Sequence, residues 1–119
     1  MANEISASMS FSAAKAGGVI SGVYSNTYDM SGTHMLSNVQ SVGTSSETLF
    51  LGDIASLGSV MVKNLDPTNY VQIDSGTAFD KFPQKILPGQ MIFLNPQTIT
   101  IYAKANTAPC DIQVTAAEL

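Results

Sequence analysis

The sequence predicts an all-β chain, a single antiparallel β-sandwich of jelly-roll type, and three observations predict it. Apolar and polar residues alternate with period two in at least four separate segments, which puts the two sets on opposite faces of a strand. Turn signals built from Pro, Gly, Asn and Asp recur at fairly regular spacing. No segment carries a convincing helical period. Eight or nine short strands of this kind fit a sandwich, and 119 residues fit one domain spanning 1–119.

The first element is the clearest alternation. Ile5, Ala7, Met9, Phe11 and Ala13 take the odd positions, and Ser6, Ser8, Ser10 and Ser12 the even ones. Residues 1–14 are therefore an edge strand with a solvated serine face, or an N-terminal arm that packs on a neighbouring subunit. Residues 16–32, rich in Gly and Ser and interrupted by Asn26 and Asp29, read as a loop excursion around a short strand. His34–Val42 is a strand with apolar and polar residues mixed on both faces. A turn at Gly43–Ser46 and a short strand at Glu47–Leu51 follow.

The stretch VKNLDPTNYVQID reads as a hairpin. Val60 and Val62 share one face, with Met61 and Lys63 on the other; across the turn Val71 and Ile73 face inward and Tyr70, Gln72 and Asp74 outward. In the turn, Asp66 suits the first position, Pro67 presets φ for the second, and Asn69 tolerates a left-handed backbone. Leu87-Pro88-Gly89-Gln90 has the order of a type II turn. The strand after it, Met91–Leu94, is apolar on both faces, as in a central strand or one covered by a partner. Thr98–Lys104 alternates with Ile99, Ile101 and Ala103 inward. In Cys110–Ala116 the even positions are apolar, so Cys110 is expected to be a buried core residue.

Composition narrows the function. Charged residues make up 12% of the chain where about a quarter is usual, and Ser, Thr, Asn and Gln fill the difference. Such a surface desolvates cheaply and favours burial against another protein. The net charge is −4, arginine is absent, and Lys15, Lys63, Lys81, Lys85 and Lys104 are scattered, so direct nucleic-acid binding is not expected. No apolar run approaches the length of a membrane span, and no membrane partner is expected. One cysteine forms no disulfide framework, and MANEISASMSFS lacks a secretory signal, which is read as synthesis in the cytoplasm.

The chemical inventory is thin. His34 is the single histidine; no H-x-H, H-E-x-x-H, C-x-x-C, G-x-S-x-G or calcium-loop pattern occurs. A cupin-type metal site needs several clustered imidazoles and carboxylates. No catalytic, metal-binding or cofactor-binding residue is therefore assigned, and no enzyme activity is expected. A glycan remains a possible ligand, with Tyr70 and Tyr102 as the outward-facing aromatic platform. Outward tyrosines are equally at home in a subunit interface.

Three segments carry a family resemblance: Lys63-Asn64-Leu65-Asp66-Pro67-Thr68-Asn69-Tyr70, Leu87-Pro88-Gly89, and Tyr102-Ala103-Lys104-Ala105-Asn106-Thr107-Ala108. From about Leu51 to Val114 the chain resembles small β-sandwich structural proteins of tailed-bacteriophage virions. The resemblance implies a virion role, with capsid decoration or cement, head fibre, neck and tail all open, and it brings no catalytic residues. The expectation is a capsid cement or decoration protein on the capsid surface, made in the host cytoplasm. Its partners are the major capsid protein and itself, as a homotrimer. The candidate assembly interface is Ile5, Met9 and Phe11 of the N-terminal strand with Tyr24 and Tyr28 of the excursion.

Overall fold

A computed structural model describes residues 4–118, so Met1–Asn3 of the expected N-terminal arm and Leu119 lie outside the described residues. Among the described residues ten strands follow one another: β1 (Ile5–Lys15), β2 (Gly18–Tyr28), β3 (Met35–Val42), β4 (Glu47–Thr48), β5 (Leu57–Asn64), β6 (Val71–Asp74), β7 (Gln84–Ile86), β8 (Met91–Leu94), β9 (Tyr102–Ala105) and β10 (Cys110–Glu118). Among the described residues there is no helix. The chain divides into two compact units, one ending at Ser31 and the other beginning at Gly32. The sandwich occupies the second unit.

The first unit is a two-stranded antiparallel sheet, β1 paired with β2 from Ile5↔Tyr28 to Lys15↔Gly18 without a shift of register. The expected excursion over 16–32 is thus mostly a strand. Its turn is Ala16-Gly17, with φ of 53° and 86°. Positive φ at both central residues is the type I′ turn, whose twist matches that of the strands it joins. Glycine adopts this conformation freely, whereas Ala16 does so against its Cβ.

The second unit holds two four-stranded sheets, β3-β10-β5-β8 and β4-β9-β6-β7. Four antiparallel pairs are nested: β6 with β7, β5 with β8, β4 with β9 and β3 with β10. The further pairs β10–β5 and β9–β6 join them laterally. A long hairpin of four nested pairs rolled into two sheets is the jelly roll. The inner faces share one core: Val60, Val62, Ile112 and Val114 from the first sheet, and Val71, Ile73, Ile86 and Ala103 from the second. β10 alternates along its whole length, with Cys110, Ile112, Val114, Ala116 and Glu118 buried.

Several expected details differ. Residues 64–71 do not form a hairpin, because β5 and β6 belong to different sheets; the Asp66–Asn69 turn is a corner between the layers. Asp66 organises it, its Oδ2 accepting from the Thr68 and Asn69 amides at 2.9 and 2.6 Å. Asn69 is not left-handed. The turn at Leu87–Gln90 also crosses between sheets and has the type II form, with Gly89 at φ 79° and the Gln90 amide donating to the Leu87 carbonyl. β8 is an edge strand rather than a central one, with Met91 exposed and Ile92, Phe93 and Leu94 half-buried. Asp74 is buried, not outward, and Ile99 is exposed ahead of β9.

Candidate assembly interface

Directly opposed residues of an antiparallel pair share a face. The register of β1 and β2 therefore collects Ile5 with Tyr28, Met9 with Tyr24, Phe11 with Gly22 and Ala13 with Ile20 on one side of the hairpin. The five interface residues expected from the sequence thus lie on a single face. Ile20, which the sequence reading missed, belongs with them. Its signal was present: Val19, Ser21, Val23, Ser25 and Thr27 alternate with Ile20, Gly22, Tyr24, Asn26 and Tyr28, and the glycines masked it. Phe11 is 67% exposed, Tyr24 73% and Ile20 62%, with Ile5 and Tyr28 half-buried. The opposite face carries the serines of β1 with Val19 and Val23. Within Ile5–Tyr28 the one charged residue is Lys15, beside the turn.

Tyr70 and Tyr102 do not converge. Tyr70 precedes β6, and Tyr102 of β9 pairs with Asp74 at the other end of that strand. Four residues of strand separate the two levels by about 13 Å. Between them lies the row Gln72–Lys104. The ammonium of Lys85 lies over the Tyr70 ring at 4.7 Å, so one face of that ring is already occupied.

The ionisable groups of the sandwich are directed at its own backbone. Glu118, last in the inward series of β10, is 7% exposed. Its Oε1 accepts from the amides of Thr33 and His34 and from His34 Nδ1, at 3.0, 3.2 and 3.1 Å; its Oε2 accepts from the Ala55 amide at 3.0 Å. Led by the Ala55 amide and the His34 ring, these donors hold its pKa down at about 2. Burial works against ionisation of Asp74, yet the amides of Lys81, Phe82 and Ser75 and the nearby Lys81 charge keep its pKa below the usual value. Among the described residues, Asp74 is the single ionisable one lining an open pocket of about 440 Å³ near Ile73, Phe82, Leu94 and Ile101. With both its oxygens engaged by backbone amides, the pocket has no free charged group to orient a ligand. Burial, and then the charges of Asp66 and Asp111, push the Cys110 thiol up. Among the described residues no group of three or more His, Cys, Asp or Glu is placed to hold a metal ion.

Comparison with family models, curated proteins and solved structures gives no match for this chain.

Proposed function

We propose that the protein is a non-enzymatic structural component of a tailed-phage virion, a capsid decoration protein that binds the lattice of the major capsid protein and associates with copies of itself. The observation that carries this reading is the hairpin: on an uncharged face, Met9, Phe11 and Tyr24 are exposed, with Ile5 and Tyr28 half-buried at its far end. Exposed contiguous apolar surface of this kind marks association sites. The sandwich supports the reading as a rigid body whose Glu118, Asp74 and Asp66 are used up in holding loops. Its jelly-roll pairing is compatible with the resemblance over Leu51–Val114. Apolar contacts contribute roughly 25 cal/mol per Å² buried, and repetition across a lattice multiplies modest contacts by avidity.

The test is electron microscopy of purified particles, with the full chain and with a chain lacking residues up to Ser31. Density on the capsid lattice that disappears with the deletion supports the reading. Density confined to the neck or tail, or none on the particle, overturns it.

A further inference from the structure

We infer that the hairpins of three copies of this chain close edge to edge into a six-stranded antiparallel barrel, with the Ile5–Met9–Phe11–Tyr24 face inside and the serine face outside. The inference rests on the reading of the hairpin as an assembly surface, and it names the occupant: the same hairpin from two further copies.

The edges argue first. A two-residue turn closing on Lys15 and Gly18 makes that pair hydrogen-bonded, and alternate pairs follow. Ser6, Ser8, Ser10 and Ser12 of β1, and Val19, Ser21, Val23, Ser25 and Thr27 of β2, therefore direct their N–H and C=O groups away from the hairpin. Long edges are normally blunted with lysines, prolines or bulges. Here neither strand has a proline or a shift of register, and the one lysine sits at the tip. A two-stranded sheet by itself is marginal in water, so a partner is needed to complete it.

Size and symmetry select three copies. Eleven residues span about 36 Å, and a face two strands wide covers on the order of 360 Å². Two such faces stacked would bury about 700 Å², short of the ~1,200 Å² at the low end of stable interfaces, and four edges would stay open. A threefold rotation places each β2 beside the β1 of the next copy, running the opposite way. All six strands then alternate in direction, the ring closes, and no edge remains. The inward face has the mixture of sizes that a narrow barrel requires. Large pairs, Ile5–Tyr28 and Met9–Tyr24, flank the smaller Ala7–Asn26, and Phe11 stands opposite Gly22. An almost uncharged face gives a charged partner nothing to complement and gives an identical copy nothing to repel.

The test is the native mass of the full chain by sedimentation or light scattering, with variants of face and edge. The wild type should run at three times the 12.5 kDa chain mass. Met9→Asp, which buries a charge in the barrel, and Ser8→Pro, which removes an outward N–H while sparing the ladder within the hairpin, should each reduce the mass to one chain. Ser12→Glu, on the outer face, should leave the trimer intact. Denaturant unfolding of the sandwich should be the same in all four proteins. A monomeric or dimeric wild type, or a trimer lost with Ser12→Glu but kept with Met9→Asp and Ser8→Pro, overturns the inference. A trimer absent from the capsid would overturn the virion role alone, and a monomer bound to the lattice would overturn the barrel alone.

Discussion

Asn64 of β5 donates through Nδ2 to the carbonyl of Ile86 in β7 at 2.9 Å, a hydrogen bond that runs from one sheet of the sandwich to the other. The same Nδ2 donates to the Asn69 carbonyl, and Oδ1 accepts from the Asp66 amide, both at 2.9 Å. The Asn64 backbone accepts from Gly89 and donates to Gln90. A fully buried amide thus fastens the Asp66–Asn69 corner and the Leu87–Gln90 turn to each other. Replacing it by alanine strands two carbonyls and one N–H, and we expect a loss of about 2–4 kcal/mol. Equilibrium denaturation of Asn64→Ala checks this, and a loss below about 1 kcal/mol would mean that water substitutes for the side chain.

Glu118 makes stability depend on pH. Its carboxyl titrates near 4.5 when unperturbed and at about 2 in the folded chain. The folded value is the lower one, so the contribution is complete above about 4.5 and is lost as pH falls toward 2. Glu118→Gln should lower stability at neutral pH and flatten its dependence across that window, as read by thermal unfolding at a series of pH values.

Gly32 offers an independent probe of the same carboxylate. A Cβ at Gly32 would run into the Glu118 side chain. Gly32→Ala should therefore push the carboxylate off the Thr33 and His34 amides and reproduce the loss seen with Glu118→Gln. Because both changes remove one arrangement, the double variant should be little worse than either single variant.

Ala16 holds a left-handed conformation at φ 53°. Ala16→Gly should relieve on the order of 1 kcal/mol of backbone strain. Slower amide exchange along Ile5–Tyr28 is the expected result, with Ala16→Val accelerating it.

Cys110 is 1% exposed and its thiol titrates above its ordinary value. A thiol reagent should label it only on unfolding, so native labelling should be slow and denatured labelling rapid.

Period-two alternation made the core strands legible, because Val60, Val62, Ile112 and Val114 each bury one face against a common core. The same logic missed β2, where Gly18 and Gly22 weaken the pattern and neither face is buried. It also misread residues 64–71. Local turn chemistry at Asp66–Asn69 is the same for a hairpin and for a corner between layers, and the strands that draw β5 and β6 into different sheets, β10 and β9, lie far along the chain. Asn64 and Glu118 were invisible as fasteners for a related reason. Their acceptors and donors, Ile86 for one and Ala55 for the other, are set by tertiary placement. Alternation singled out Ile5, Met9 and Phe11 as candidates, and Tyr24 and Tyr28 were read from a Gly- and Ser-rich stretch; only the register showed that all five share a face.

The place of β10 between β3 and β5 has a consequence for the order of folding. Neither neighbour pairs with the other; both ladders wait for the strand that is last in the sandwich. A chain emerging from the ribosome can close the local β6–β7 pair early, but the sheet of β3, β5 and β8 stays divided until Cys110–Glu118 has been made. Pairing of residues so distant in sequence is slow. Chains cut before Cys110 should show no cooperative unfolding transition, so a prematurely terminated product would expose unfinished strands to proteases.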